Sequence, residues 1–398
     1  MKKNRSPFVK IFLIFSGICF SWVPMLAQHS LQVDDGNGHY TIIQGPTTGT
    51  PVQTYSLPSG GGTILTSNSG GTIPSGAYLA FPDNGSHSGF TYTGFSSQVG
   101  YDVWATQATM PTARFGAASA VVSSKLYVLG GSNNVIQFAS NEVYDPSTNS
   151  WATLANMPTA RQNPAAASFS NKIYCIGGYL NPNYLTTNEE YDPTTNTWAV
   201  KAAMPTARTG LAIAGAGGKL YAIGGNLFGG YMQTNEEYTP PPGNSWVAKA
   251  NMPTGRDGFV AGTIGSKIYC IGGSILGSNL TTNEEYDPTL NSWATRASLP
   301  VGTSRACGAV YNGSLYFFTG LINNLGTHVA DTRVYTPPPT DSWGTRASIP
   351  NMRGSAVAGN IGNFIYVVGG YLNNGAIVYN LNDQYSPTGI PFFWFTKN

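Results

Sequence analysis

The stretch "MPTARFGAASAVVSSKLYVLGG", residues 110–131, decides the fold, because it returns almost unchanged three more times. The copies begin at Met157, Met204 and Met252, and each holds an arginine soon after a proline and closes on a glycine pair. The run "KLYVL" is apolar and too short for a helix, which predicts a strand buried on both faces. The repetition predicts a fold in which one β-rich unit is used many times.

Tryptophan marks the period of this repeat. Successive tryptophans lie 47, 47, 48, 47, 50 and 51 residues apart, at Trp104, Trp151, Trp198, Trp246, Trp293, Trp343 and Trp394. Between two tryptophans come the arginine phrase, a run of small residues, an apolar strand ending in Gly-Gly, a variable loop and a turn such as "YDPSTNSW". That turn predicts a hairpin, so each repeat supplies four strands. Six such sheets packed around an axis bury both of their faces.

A glycine pair, then a tyrosine, then a tryptophan, repeated with a period near 50, resembles the kelch-repeat family. The resemblance covers residues 101–398 and implies an all-β, six-bladed propeller. In the first blade it implies strands at 114–123, 125–131, 141–146 and 150–154. The implied repeats are about 108–154, 155–201, 202–249, 250–296, 297–346 and 347–398.

One tryptophan strand is surplus, since seven tryptophans serve six blades. Either Trp394 in "IPFFWF" completes the sixth blade, or Trp104 in "YDVWATQ" comes round to close it. We expect Trp394 to complete the blade, because Tyr385 and Trp394 keep the order of the other repeats.

The N-terminus predicts export. A basic start, the apolar run "IFLIFSGICF" and the sequence "PMLAQ" indicate a signal peptide over residues 1–27, cleaved after Ala27. We expect a secreted, periplasmic or surface-exposed bacterial protein with no transmembrane segment after cleavage. Residues 28–100 are rich in Gly, Ser and Thr, which predicts a β-rich stalk or a linker. Cleavage would leave 16 basic and 18 acidic residues, so no basic surface for nucleic acid is expected.

The repeated arginines are the candidate binding residues. The resemblance implies that they open the first strand of each blade and face the mouth of the channel, where guanidinium groups would hold acidic ligand groups. These arginines are Arg114, Arg161, Arg208, Arg256, Arg305 and Arg353. Glutamates recur with them two residues before the blade tyrosines, so arginine–glutamate pairs inside the scaffold would produce the same pattern. Blade five departs from it with Arg333 in the glutamate position, and its loop contains His328.

Catalytic motifs are lacking, and we expect no cofactor, no metal site and no catalytic residues. The loops between the second and third strands vary and are rich in Asn, Tyr, Leu and Gly, which is typical of contact surfaces. Our first hypothesis is therefore a non-catalytic interaction module that binds a protein or a glycan. The alternatives are an enzyme that resembles the periplasmic sialic-acid mutarotases and a structural component of the envelope or of a fibre.

Overall fold

The computed structural model describes residues 31–34, 39–42, 53–56, 102–323 and 327–387. The chain divides into the unit Asp102–Pro387 and a second unit made of the remaining residues. The described part of the second unit is an antiparallel sheet of β1 (Leu31–Asp34), β2 (His39–Ile42) and β3 (Gln53–Ser56). The predicted signal peptide and Trp394 lie outside the described residues, and the 28–100 stalk stays a prediction. Within the described ranges, no helix is long and apolar enough to cross a membrane.

Six four-stranded antiparallel sheets form the unit Asp102–Pro387, as the repeat predicts for a six-bladed propeller. A short strand, β4 (Val103–Thr106), precedes the first complete blade. The strands of blade one are β5 (Ala118–Val122), β6 (Lys125–Leu129), β7 (Asn141–Asp145) and β8 (Ser150–Leu154). Those of blade two are β9 (Ala165–Phe169), β10 (Lys172–Ile176), β11 (Tyr179–Leu180), β12 (Asn183–Tyr184), β13 (Asn188–Asp192) and β14 (Thr197–Val200).

The later blades follow the same plan. Blade three contains β15 (Ala212–Ala216), β16 (Lys219–Ile223), β17 (Asn226–Leu227), β18 (Gly230–Tyr231), β19 (Asn235–Thr239) and β20 (Ser245–Ala248). Blade four contains β21 (Val260–Ile264), β22 (Lys267–Ile271), β23 (Ser274–Ile275), β24 (Ser278–Asn279), β25 (Asn283–Asp287) and β26 (Ser292–Thr295). Blade five contains β27 (Cys307–Tyr311), β28 (Ser314–Ile322), β29 (Thr327–Thr336) and β30 (Ser342–Arg346). Blade six contains β31 (Val357–Ile361), β32 (Phe364–Val368), β33 (Tyr371–Leu372), a 3₁₀ turn at Asn373–Gly375, β34 (Ile377–Val378) and β35 (Asn382–Ser386).

Side-chain size decides the place of each strand in a blade. The first strands carry small residues and line a central channel, where a cavity of about 320 Å³ is bordered by residues such as Ser119, Ala167, Gly215, Gly262 and Gly359. The second strands are apolar, and β6 is buried from Leu126 to Leu129. The glycine pair at the end of β6 has φ of 64° and 95°, and a Cβ on Gly130 would lie 2.6 Å from the Arg161 carbonyl oxygen. Only glycine fits that close approach between blades.

The tryptophan turn binds each blade to the segment that enters it. In blade one the Trp151 indole N–H donates to the Ala108 carbonyl at 2.7 Å, and the Ala108 N–H donates to Asn149 Oδ1 at 2.9 Å. Tyr144 donates its hydroxyl to the same Asn149 oxygen at 2.8 Å. Equivalent contacts recur in blades two to five, with Asp341 in the place of the asparagine in blade five. The repeated Tyr, Asn and Trp therefore hold neighbouring blades together.

Ring closure differs from our expectation. The fourth strand of blade six is β4, which pairs with β35 so that Trp104 lies opposite Tyr385. The Trp104 indole donates to the Ala347 carbonyl at 2.9 Å, and Tyr385 donates its hydroxyl to Asp102. Asp102 has φ of 67° and occupies the place that Asn149 has in blade one. The expected closure by Trp394 is therefore wrong, because β4 already holds that position and its contacts.

Candidate functional site at the mouth of the channel

Five of the six repeated arginines lie inside the blades. Each is at most 1% exposed and forms an ion pair with the acid on the third strand of its own blade. We call these five the scaffold arginines, and their pairs are Arg114–Glu142, Arg161–Glu189, Arg208–Glu236, Arg256–Glu284 and Arg353–Asp383. The structure thus places them in the pairs that the scaffold interpretation predicts and away from solvent, while a ligand-binding role for them stays a prediction.

Blade three shows how the phrase "MPTAR" builds this pair. Arg208 Nη1 donates to Glu236 Oε2 at 2.6 Å, and Arg208 Nη2 donates to the Ala222 carbonyl at 2.9 Å. Thr206, two residues earlier, donates its hydroxyl to the other glutamate oxygen at 2.7 Å. Burial lowers the pKa of Arg208, and Glu236 partly offsets that effect. The Thr and the Arg of the phrase therefore hold strand three against the start of strand one.

A second carboxylate follows in the sequence "NEEY" of blades two to four, and it is buried in blades two and four. In blade four Glu285 accepts hydrogen bonds from Arg296 Nε and Lys267 Nζ, both at 2.7 Å. Burial opposes ionisation, but the hydrogen bonds from Arg296, Lys267 and Tyr269 outweigh it and lower the pKa of Glu285 from 4.5 to about 2. These contacts favour the ionised carboxylate in the folded protein.

This shift predicts a loss of stability in acid. Because the pKa of Glu285 is lower in the folded chain than in the unfolded one, its contribution is complete above pH 4.5 and is lost as the pH falls towards about 2. That contribution amounts to roughly 3 kcal/mol. Urea unfolding at pH 6 and pH 3 should therefore show a smaller pH dependence in Glu285→Gln than in the parent chain. An unchanged dependence would contradict this assignment.

Blade five breaks the arginine pattern. Its phrase "LPVGTSR" holds two more residues between the proline and the arginine than "MPTAR" does. Counted from Leu299, the scaffold position is taken by the buried Thr303, and Arg305 falls two residues later on an exposed site. The equivalence of Arg305 with the scaffold arginines is therefore wrong, and the longer spacing was the signal that could have shown it.

Arg305 belongs instead to a closed ring of backbone hydrogen bonds around the axis. In this ring each residue donates its N–H to the carbonyl of the equivalent residue in the preceding blade, at 2.6 to 3.0 Å. All six residues have φ between 48° and 63°. We call them the mouth ring: Gly116, Asn163, Gly210, Gly258, Arg305 and Ser355. Arg305 carries the only charge in the ring, and it does so in a backbone conformation that disfavours long side chains.

Next to the mouth ring lie two further circles of residues that differ from blade to blade. The first circle contains the residue after the arginine position of each blade, and the second contains the residue after its glycine pair. Within a blade, these two residues form an isolated backbone bridge. The pairs are Phe115–Ser132, Gln162–Tyr179, Thr209–Asn226, Asp257–Ser274, Ser304–Leu321 and Gly354–Tyr371. The same residue types recur at the scaffold positions, whereas the residue types at the bridge positions differ between blades. The mouth is therefore the part of the propeller in which the six blades differ in sequence.

Arg305 and Asp257 are the charged pair of this mouth. Arg305 Nη1 donates to the Tyr371 hydroxyl at 2.6 Å, and Ser274 donates its hydroxyl to Asp257 Oδ1 at 2.8 Å. Burial raises the pKa of Asp257, and both Ser274 and the charge of Arg305 oppose that rise. Tyr371 is fixed by edge contacts with Phe115 and His328, whose ring centroids lie 5.0 and 5.2 Å away.

The other two asymmetric positions lie in blade five. Arg333 is paired with Phe317 in the register in which Glu142 faces Val128, so it does occupy the glutamate position. It binds Asp331 at 2.5 Å, two residues earlier on the same strand. His328 is buried on β29 against Tyr371 and thus reaches the mouth through that ring. The structure brings His328 and Arg305 to Tyr371, whereas the described ion pair of the Arg333 side chain is with Asp331 on its own strand.

The loops after the glycine pairs rise from the same mouth and carry exposed apolar side chains. Val135, Phe228 and Leu276 are 81–82% exposed, and Ile136 and Ile377 are also exposed. We call these five residues the loop tips. Phe228 packs edge-on against Tyr184 of the neighbouring blade at 4.8 Å. The loops are therefore apolar at their ends and polar where they meet the mouth ring.

Among the described residues, no group of three or more His, Cys, Asp or Glu side chains could hold a metal ion. Cys175, Cys270 and Cys307 are buried free thiols, and burial raises the pKa of Cys175 to about 11. A thiol in that state is a poor nucleophile. The polar groups that remain accessible at the mouth suit binding by hydrogen bonds.

Two family models match the chain. The model described as "KLHDC2/KLHL20/DRC7 Kelch-repeats domain" matches residues 96–225, and the "Kelch motif" model matches residues 255–300. The solved structure titled "Structure of YjhT" superposes with a TM-score of 0.61 at 18% sequence identity, covering 69% of this chain and 95% of that one. No curated protein gives a significant match. At this identity the structural likeness concerns the fold.

Proposed function

The chain belongs to the kelch-repeat β-propellers, and from this we propose that it is a non-catalytic module that binds a protein or a glycan through one end of the propeller. The binding end is the one that carries the mouth ring and the loop tips. As an exported protein, it would present this end outside the cytoplasm. The repeated ion pairs would then serve as the scaffold that holds the binding end rigid.

The observation that carries this proposal is the backbone of the loop tips. Phe228 and Leu276 occupy tight hairpin turns with φ of 51° and 48°, each followed by a glycine that also has positive φ. Such turns favour Asn-Gly, and a bulky apolar residue is unfavourable there in both its backbone and its exposure. Two adjacent blades have a bulky apolar residue in this unfavourable turn position. Such a residue is expected where its side chain contacts a binding partner.

The charge of the loops supports a binding role. Residues 132–140, 179–187, 226–234, 274–282 and 371–381 contain no Asp, Glu, Lys or Arg. The blade-five loop adds only Asp331 and His328. When such a surface binds a partner, the binding free energy comes from the exclusion of water from its apolar and amide groups. Its affinity should therefore depend little on salt concentration.

The test replaces the two turn residues by the one that the turn prefers. Phe228→Asn and Leu276→Asn should keep the fold and raise the free energy of unfolding by up to about 1 kcal/mol, because the left-handed backbone is relieved. Binding of the full chain to a displayed peptide library and to a glycan array should fall in the double variant. Thermal unfolding of the same samples separates a binding effect from a folding effect.

Lys125→Ala is the matched control, because Lys125 begins β6 just after the turn from β5 and, among the described residues, forms an ion pair only with Asp145. Ligands that bind the parent and the control but not the double variant support the proposal. Ligands that bind all three chains equally, or an absence of any ligand on both arrays, contradict it.

The enzymatic alternative has one observation in its favour, namely that Arg305 is exposed at the mouth and could meet the carboxylate of a sugar acid. Asp257 beside it would repel that carboxylate. Exchange of sialic acid anomers, followed by NMR, is the direct assay. Catalysis by the parent chain that is lost in Arg305→Gly would favour the mutarotase-like enzyme, whereas an uncatalysed rate favours the binding module over it. A purely structural component of the envelope or of a fibre would bind no ligand in the peptide library or on the glycan array.

A further inference from the structure

We infer that the mouth binds a neutral saccharide, held between the Asp257 carboxylate and the Arg305 guanidinium. This inference rests on the proposed function, since it names the ligand class for the same end of the propeller. The loop tips would surround this site without belonging to it.

The first argument is the distribution of charge. The mouth ring and the two circles beside it comprise 18 positions, and Asp257 and Arg305 are the only charged residues among them. The two lie in neighbouring blades, and the Arg305 N–H donates to the carbonyl of Gly258, the residue after Asp257, at 2.8 Å. The Arg305 side chain lies over that glycine, since a Cβ on Gly258 would be 3.5 Å from Arg305 Cγ. The mouth is thus polar but has no net charge.

The second argument is hydrogen-bonding capacity. Ser274 donates to Asp257 Oδ1, and the only other donor to this carboxylate among the described residues is the backbone N–H of Asp257 itself. Arg305 uses Nη1 for Tyr371, while its Nε and Nη2 make no hydrogen bond to any residue in the described part of the chain. A carboxylate oxygen accepts and a guanidinium donates, so together they complement a ligand that offers both donors and acceptors.

A neutral polyol satisfies this pair better than an ion does. An anionic ligand at Arg305 would lie near Asp257, and a cation at Asp257 would lie near Arg305, so either ion meets a like charge. A hydroxyl group donates to Asp257 and a neighbouring hydroxyl accepts from Arg305 without that cost. Gln162, Thr209 and Ser304 add uncharged polar side chains to the same circle.

An aromatic group lies beside Arg305 and its hydrogen-bond partner Tyr371. Phe115 is half-buried and meets Tyr371 edge-on at a 63° angle between rings, and Tyr371 in turn accepts from Arg305. An apolar ring beside planar polar groups suits the apolar faces and polar rim of a sugar. The mouth therefore combines the elements needed to orient a pyranose ring.

The repeat supplies conservative variants for the test. Asp257→Thr introduces the residue that blade three has there, Thr209, and Arg305→Gly introduces the residue that three other blades have in the mouth ring. Both should fold, and Lys125→Ala again serves as the control. The probes are the methyl glycosides of glucose, galactose, mannose and N-acetylglucosamine, with glucuronic acid and glucosamine as matched acid and base.

Saturation-transfer NMR on the full chain measures binding of each probe. We expect transfer to at least one neutral glycoside, affinity at least tenfold weaker in both mouth variants, and no change in Lys125→Ala. Asp257→Thr should shift the preference towards glucuronic acid, and Arg305→Gly should shift it towards glucosamine.

Three results would overturn the inference. The first is an absence of transfer to every neutral glycoside, and the second is tighter binding of glucuronic acid than of the neutral glycosides by the parent chain. The third is unchanged binding of the neutral glycosides in both mouth variants. A peptide that competes at the mouth while no sugar binds would also overturn it. Loss of binding in Phe228→Asn/Leu276→Asn combined with no sugar binding would leave the proposed function standing and this inference refuted. Sugar binding that is lost in both mouth variants but unchanged in Phe228→Asn/Leu276→Asn would support this inference and would remove only the loop tips from the proposed binding end.

Discussion

Arg208→Met is expected to lower the free energy of unfolding by about 3–5 kcal/mol, because it leaves Glu236 buried without a counter-charge. The pair is separated by 2.6 Å, and both side chains are at most 5% exposed. The loss also removes the hydrogen bond to the Ala222 carbonyl on strand two. Urea unfolding followed by tryptophan fluorescence measures the change.

Two controls separate charge from packing in this experiment. The double variant Arg208→Met/Glu236→Leu should recover most of the loss, since no charge is then left unpaired. Arg305→Gly should change stability by less than about 1 kcal/mol, because glycine suits the positive φ of the mouth ring. A double variant as unstable as the single one would show that the ion pair is not what the arginine contributes.

Trp104→Ala is expected to cost about 3 kcal/mol, the typical effect of removing a large aromatic side chain that packs between blades. Trp104 packs against Tyr385 with the rings tilted and their centroids 4.9 Å apart, meets Phe318 of blade five edge-on at 5.5 Å, and donates its indole N–H to the Ala347 carbonyl. Its loss should open the sheet in which the two ends of the propeller meet. Thermal unfolding measures the cost.

Trp394→Ala is the matched control in the same full chain. Because β4 supplies the fourth strand of blade six, we expect Trp394→Ala to change the unfolding temperature far less than Trp104→Ala does. The opposite ranking of the two variants would mean that the C-terminal tryptophan closes the ring in solution.

The repeat alone predicts the fold because every blade faces the same physical demands. A buried strand two recurs in six blades, a glycine pair at a close approach in five and a Tyr–Asn–Trp turn in four, so the period shows them plainly. Strand one was predicted from residue 114 but begins at Ala118, because Gly116 turns the chain into the mouth ring first. Hydrophobic pattern cannot show such a turn, since its cause is a backbone bond to another blade.

The strand that closes the ring and the residues that form the mouth could not be predicted from the repeat, for a different reason. The strands around Trp104 and Trp394 both read as a fourth strand, and only the pairing register distinguishes them. Arg305 matches the scaffold arginines in residue type, but its spacing from Leu299 is two residues longer than theirs from the equivalent methionine or isoleucine. Its partnership with Asp257 and Tyr371 joins three blades, and no spacing within a single repeat encodes it.

The central claim is that the repeated arginines hold the scaffold and that binding resides in residues that break the repeat. Saturation transfer from Arg208→Met/Glu236→Leu and from Arg305→Gly to the same neutral methyl glycosides tests it most directly. The account predicts transfer equal to that of the parent chain for the first variant and a loss of at least tenfold in affinity for the second, with both chains folded. Loss of transfer in the first variant with full transfer in the second would contradict the claim.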